Sequence, residues 1–240
     1  MEWFEAWFAS PYYHTLYQDR DEKEARKFIE NLIAYLQPKT NDRFLDLACG
    51  AGRHAIHINK LGYSVVGTDL SSPSIDTALK SANDKLDFYV QDMRNLFRTN
   101  YFNFIFNLFT SFGYFQNEND NIKTLKAAKN GLRQNGTIII DFMNAFKVKK
   151  QLVQNEIKVV EDIEFKIERQ IKDNFILKNI EFTDRNGSIQ TYREQVQYID
   201  LEKFKYFIAA AGLKIKNTFG NYQLEAFNQD HSDRLILEIV

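Results

Sequence analysis

Apolar positions in this chain follow two periods. Ala25, Phe28, Ile29, Leu32, Ile33 and Leu36 recur at helical spacing in a run that begins near Asp21 and is stopped by Pro38. Further upstream, Trp3, Phe4, Trp7 and Phe8 fall at i, i+1, i+4 and i+5, one face of a short helix. From about Asp42 to Asn144 short apolar runs alternate with helical segments. "RFLDLA" reads as a strand, "GRHAIHINKLG" as a helix closed by Gly62, and "YSVVGTD" as a second strand. In "SSPSIDTALKSA", Ser72 suits an N-cap, with Pro73 at the first helical position. "KLDFYVQD" is a third strand, and Phe102, Phe104, Phe106 and Leu108 alternate in a fourth. A helix covers about Glu118 to Leu132, and "GTIIIDFM" is the fifth strand. Strands alternating with helices predict a parallel sheet covered on both faces.

The period changes again between about Glu156 and Ile199. Ile163, Phe165 and Ile167 alternate with Glu164, Lys166 and Glu168. A turn at Asp173-Asn174 leads to "FILKNIEF", and Asn186-Gly187 suits a type I′ hairpin turn before "IQTYREQVQYI". A three-stranded antiparallel meander with one wet face is predicted. Asp200 suits the N-cap of "LEKFKYFIAAA", which Gly212 ends. "LKIKNTF" and "RLILEIV" then read as closing strands, antiparallel to each other because no helix separates them.

Composition narrows the class. The 240 residues are 44% apolar and 26% charged, the balance of an ordinary globular protein. Net charge is −1, so total charge gives no reason to expect nucleic acid or an anionic membrane as partner. The single cysteine, Cys49, excludes an intramolecular disulfide. The first ten residues carry Glu2 and Glu5 but no Lys or Arg, unlike a signal peptide. The run "YFNFIFNLFTSFGYF" is interrupted by Asn103 and Asn107 and falls short of the ~20 apolar residues of a membrane span. A cytoplasmic protein is expected.

Candidate chemistry centres on "LDLACGAGRHA". Gly50-Ala51-Gly52-Arg53-His54-Ala55 fits the G-x-G-x-x-G/A turn of dinucleotide sites, with Asp69 placed to meet a ribose. An NAD-dependent oxidoreductase is therefore one reading. Asp46 argues against it, because a carboxylate beside the turn repels a pyrophosphate and favours a cationic ligand. Asp69 ends the second strand and can accept from two ribose hydroxyls. Asp92 ends the third strand and suits an adenine amino group. Acids at the ends of three strands would line one cleft at the carboxyl edge of the sheet, where open α/β folds bind ligands.

In "LDLACGAGRHA", "VVGTDLS", "VQDMRNL" and "FNLFTSFGYF", the chain resembles the class I S-adenosylmethionine-dependent methyltransferases. The resemblance implies an α/β fold: a Rossmann-like seven-stranded, mostly parallel sheet with helices on both faces and an antiparallel last strand. The inserted three-stranded antiparallel sheet resembles that of the glycine and sarcosine N-methyltransferases. A single domain over 1–240 is expected, with residues 1–40 as a helical lid and 150–199 as an inserted cap. By the same resemblance Asp46, Ala48, Gly50 and Gly52 would meet the methionine part of the cofactor. Arg53, near a helix start that favours anions, is read separately as either a partner of the cofactor carboxylate or a solvent-facing side chain. Asp69 and Leu70 would bracket ribose and adenine, Asp92 and Met93 would contact adenine, and Asn107 would lie beneath the sulfonium. Nucleic-acid adenine methyltransferases of this fold carry an Asp/Asn-Pro-Pro-Tyr segment after the fourth strand. This chain has "NLFTSF" there.

Tyr12, Tyr13 and Tyr17 stand where related enzymes fold a lid over the cofactor, with Tyr13 the cofactor contact and Tyr12 and Tyr17 substrate contacts. Tyr114, Tyr192 and Arg193 are further substrate candidates. Cys49 reads as a small turn residue. His54 and His57 share a helix face without a third ligand, so no metal is expected. The Tyr35–Lys39 pair lies before the cofactor turn and contains Pro38, unlike a dehydrogenase pair. The expected activity is methyl transfer from S-adenosylmethionine to nitrogen, oxygen or carbon of a small molecule. A non-catalytic S-adenosylmethionine-binding module is the other alternative, and no catalytic base is named.

Overall fold

The structure is a computed structural model that describes residues 7, 10–17 and 22–240. Of the helix expected on Trp3, Phe4, Trp7 and Phe8, only Trp7 lies among the described residues, and Asp21 lies outside them. Helices α1 (Pro11–Leu16) and α2 (Glu22–Leu36) lead into β1 (Arg43–Leu47), α3 (Arg53–Lys60), β2 (Ser64–Asp69), α4 (Ser72–Leu79) and β3 (Leu86–Val90). β4 (Phe102–Asn107), α5 (Glu118–Gly131), β5 (Leu132–Met143) and α6 (Ala145–Lys150) follow. A hairpin series, β6 (Asn155–Val160), β7 (Ile163–Lys172), β8 (Phe175–Thr183) and β9 (Ile189–Gln197), precedes α7 (Leu201–Ala210), β10 (Ile215–Phe219) and β11 (Arg234–Ile239).

Seven strands form one sheet in the order β10-β11-β5-β4-β1-β2-β3. β11 is antiparallel to both β5 and β10, and the other pairings are parallel. β1 lies between β4 and β2, with Leu45 opposite both Val66 and Ile105. Its residues Phe44 to Leu47 are all buried, as expected of a strand covered on both faces. One apolar cluster, including Phe142, Phe204 and Phe207, packs α5 and α7 on one face. The other, including Phe28, Ile58 and Ile75, packs α2, α3 and α4 on the opposite face. Among the described residues no helix is long and apolar enough to cross a membrane.

The second sheet has four strands in chain order, one more than the sequence pattern predicts. The additional strand is β6. It was hidden because it is an edge strand with Ile157 and Val159 pointing to solvent, so its apolar residues do not mark a buried face. Its hairpin turns on Glu161-Asp162, with φ +48° and +64° and no glycine to signal the turn. Positive φ at both central residues, as in a type I′ turn, also occurs at Asp173 and Asn174. It does not occur at Asn186-Gly187, where only Gly187 (φ +81°) is left-handed. There the Asp184 carboxylate accepts from the Asn186 and Ser188 amides and holds a longer loop. The inner face of this sheet buries Phe165, Ile167, Ile180 and Phe182 against α1.

Two helix starts depart from expectation in a way that matters for the site. The N-cap of α4 is Ser71, whose hydroxyl accepts from the Ser74 amide at 3.4 Å, so Pro73 is the second helical residue. At α3 the N-cap is Gly52 (φ +81°), which has no side chain to offer. A Cβ there would lie 2.6 Å from the Phe88 ring, so only glycine lets helix and strand approach this closely. Asp46 supplies the missing cap from the neighbouring strand. Its Oδ2 accepts from the Ala55 amide at 3.0 Å, satisfying one of the donors left open at a helix N-terminus.

The cost of that arrangement depends on pH. Asp46 is 1% exposed, and burial pushes its carboxyl up to about 7; the Ala55 amide and Arg53 offset only part of this, and nearby Asp69 adds to it. A carboxyl raised on folding stabilises the native state fully only below its unfolded pKa near 3.8, and the benefit is lost as pH rises through about 7. Asp46→Asn keeps an acceptor for Ala55 and cannot ionise. It is expected to raise Tm relative to the parent at pH 8 far more than at pH 5. The gain is on the order of a few kcal/mol, at ~1.4 kcal/mol per unit of pKa. Equal Tm differences at the two pH values, by calorimetry, would show that Asp46 is not buried as a carboxylate.

Candidate active site

A cavity of about 690 Å³ opens at the carboxyl ends of β1 to β4. Such a volume lies within the ~300–1,000 Å³ of small-molecule sites. Ala48, Gly50 and Arg53 line it from the turn after β1, Asp69 and Leu70 from the end of β2, and Asp92 and Met93 from the end of β3. Tyr13, Tyr17 and Tyr114 line it as well. These ten of the sequence candidates therefore surround one space.

Three cofactor candidates do not reach the cavity surface. Asp46 and Gly52 lie behind the turn, one capping α3 and the other packed on Phe88. Asn107 is 1% exposed and donates to the Leu47 carbonyl at 2.9 Å, while its own Oδ1 has no partner. Three substrate candidates lie elsewhere. Tyr12 packs on Phe182 at 4.7 Å and Tyr192 on Trp7 at 4.5 Å, both under the second sheet. Arg193, on the opposite face because strand residues alternate, donates to Asn179 at 2.9 Å.

The turn is open and anionic. Gly50 is left-handed (φ +54°), and a Cβ there would meet nothing within 4 Å, so the space above the backbone is free for a ligand. Its amide donates to Asp69 Oδ2 at 2.8 Å, while Ser71 donates to Oδ1 at 2.8 Å. Each carboxylate oxygen keeps acceptor capacity toward the cavity. Burial raises the Asp69 carboxyl above its usual range, and the amides of Ser71, Gly50 and Leu70 oppose that shift. Cys49 lines the cavity, but burial pushes its thiol well above the ordinary value, with Asp46 and Asp69 adding to the effect, so it is no nucleophile.

The β3 end is different. Arg94 holds Asp92 through Nε at 3.0 Å and Nη2 at 2.6 Å, and reaches Asp120 at 3.2 Å. Burial alone would raise the Asp92 carboxyl; the Arg94 contacts outweigh it and hold Asp92 below the usual range. Asp92 is therefore an ionised acceptor beside the cavity.

Several lining residues were not anticipated. Arg26 comes from α2, where a charged residue on a helix face carries no motif. Phe109 and Phe115 lie in the segment after β4, and His54 and His57 come from α3. His54 stacks on Phe109 at 4.8 Å, and burial, with Arg53 and His57 nearby, lowers its pKa to about 3, so it stays neutral. The Arg53 guanidinium lies 4.9 Å over the Phe109 ring.

The cavity lining fits S-adenosylmethionine: an open glycine turn beside carboxylates, with Asp69 suited to a ribose and Asp92 to an adenine amino group. Residues 44–136 match a family model described as a methyltransferase domain. The putative methyltransferase YqeM of Bacillus subtilis (strain 168) is 32% identical over 111 residues, which is 44% of each chain. An S-adenosylmethionine-dependent methyltransferase from Clostridium acetobutylicum superposes with a TM-score of 0.81, at 22% identity over 95% of both chains. CalS10 from Micromonospora echinaspora, solved with S-adenosylmethionine bound and named an amino pentose methyltransferase, superposes at 0.72, with 15% identity over 96% of both chains. Residues 44–136 thus match a methyltransferase domain, and the chain as a whole has the fold of S-adenosylmethionine-dependent methyltransferases.

Proposed function

We propose that the protein transfers a methyl group from S-adenosylmethionine to a small-molecule acceptor. The observation that carries this reading is the convergence of Gly50, Asp69 and Asp92 on one cavity, each with a polar group suited to a different part of that cofactor. Asp69 would accept from both ribose hydroxyls and Asp92 from the adenine amino group, with Leu70 and Met93 against the adenine face. Arg26 and Arg53 would face the carboxylate, as planar guanidinium groups suit that shape. The carboxylates of Asp46 and Asp69 would favour the positive charge.

When bound, the cofactor supplies a methyl group on a sulfonium, which departs as a neutral thioether. The chain's work is then alignment and exclusion of water. Tyr13 and Tyr17 would close one side of the cavity. Phe109, Tyr114 and Phe115 would present ring faces to the acceptor. An uncharged amine needs no general base in this chemistry, and His54, its pKa lowered to about 3, is a weak one. Together with the name of CalS10, these features favour a small polar molecule bearing an amine. Methyl transfer to such amines, read with tritiated cofactor across an amine panel, tests the acceptor class.

Two binding measurements test the cofactor assignment. S-adenosylhomocysteine at 100 times its Kd is expected to stabilise the protein by ~2.7 kcal/mol. That corresponds to roughly 5–11 °C in Tm, at ~2–4 °C per kcal/mol for a chain of this size. NADH is expected to give no shift, and the reverse pattern would replace this reading by that of an oxidoreductase. Asp69→Ala is expected to weaken S-adenosylhomocysteine roughly 10- to 150-fold by calorimetry, the loss of a ~1.5–3 kcal/mol hydrogen bond to a charged group. Unchanged affinity would remove Asp69 from the site.

A further inference from the structure

Behind the cavity wall lies an ion pair between fully buried Asp141 on β5 and mostly buried Arg234 on β11, with Arg234 Nε 2.8 Å from Asp141 Oδ1. The pair faces the segment that leaves β4. There Phe109 (φ +55°) and Thr110 (φ +61°) are left-handed in succession. Bulky and β-branched residues adopt that backbone only when their surroundings impose it. Asp141 and Arg234 do so at three points. Asp141 Oδ2 accepts from the Phe109 amide at 2.8 Å and the Asp141 carbonyl accepts from the Thr110 amide at 3.0 Å. Arg234 Nη2 donates to Thr110 Oγ1 at 3.0 Å, and the Tyr222 hydroxyl reaches Asp141 Oδ2 at 3.4 Å.

The result is a column of rings. Phe28 packs on Tyr222 at 4.4 Å, Tyr222 stacks on Phe109 at 5.3 Å, and Phe109 stacks on His54 at 4.8 Å. The column ends in the cavity, where the Arg53 guanidinium lies over Phe109. Arg53 is the first helical residue of α3, a place where the helix dipole disfavours a cation. A ring face under the guanidinium offsets that and restricts a long side chain.

We propose that Asp141 and Arg234 are positioning residues for the cofactor's carboxylate end. By holding Phe109 left-handed, they fix the ring on which Arg53 rests, and so aim Arg53 into the cavity. The inference rests on the cofactor reading given above and deepens it. Neither residue lines the cavity, so neither contacts ligand itself.

Two ligands separate positioning from general support. S-adenosylhomocysteine carries the amino-acid end; 5′-methylthioadenosine has the same adenosine and thioether without it. Both are titrated calorimetrically into the full chain and three variants: Asp141→Asn, the double variant Asp141→Asn with Arg234→Met, and Phe109→Leu. The double variant removes both buried charges together, which folded proteins tolerate better than removing one. Phe109→Leu removes the ring and leaves the ion pair intact. Each is expected to weaken S-adenosylhomocysteine about 10-fold, as a charge-assisted contact is lost, and to leave methylthioadenosine unchanged. Equal losses for both ligands, or none for S-adenosylhomocysteine, would overturn the positioning role. A parent protein that binds neither ligand would overturn the cofactor reading itself, and this inference with it.

Discussion

The hydrogen bond from the Ala55 amide to Asp46 joins the end of β1 to the start of α3, and the whole carboxyl edge of the sheet is placed by that joint. It sets where the turn of Ala48 to Gly52 lies, hence where the Gly50 amide meets Asp69. A helix cap of this kind is worth only about 0.5–2 kcal/mol. Keeping a carboxylate ionised while buried costs on the order of 1.4 kcal/mol for each unit by which its pKa is raised, so at neutral pH and above the cap does not cover its own cost. A neutral acceptor would serve stability better. The carboxylate makes sense if its charge is used, and a cationic cofactor beside the turn is such a use.

The second sheet serves the cavity indirectly. It holds α1 through Glu194, which accepts from Trp7 Nε1 at 2.7 Å and from the Tyr17 hydroxyl, with Lys178 donating to that same hydroxyl. Tyr17 lines the cavity while its polar end is engaged on the sheet. One side chain thus ties together two layers of the protein.

The alternation of strands and helices made the main sheet legible, down to the antiparallel last strand, because each buried strand is a short apolar run between turn signals. β6 was not legible, since an exposed edge strand buries too little to show a face. Among the cavity residues, Gly50, Asp69 and Asp92 were legible from the glycine turn and the strand ends, and Ala48, Leu70 and Met93 through the family resemblance. Arg26 and Phe109 were not. Arg26 reaches the site from a helix that precedes the turn, and Phe109 reaches it through a left-handed backbone that Asp141, 32 positions later, holds in place. Tyr192 shows the opposite failure: its alternation was readable, but whether its face meets the cavity or α1 depends on how the two sheets pack.

The position of β11 has a consequence for synthesis. Among the described residues it follows every other strand in sequence, yet it lies inside the sheet, between β5 and β10. Until it emerges, β5 is an open edge of buried-type residues such as Ile138, Ile139 and Ile140, and Asp141 is a carboxylate without its cation. The order of translation therefore leaves, until β11 emerges, a nearly complete sheet with one sticky border and an unfinished cavity wall. A chain stopped short by even this one strand would keep the glycine turn and its acids while exposing an edge prone to pair with other chains.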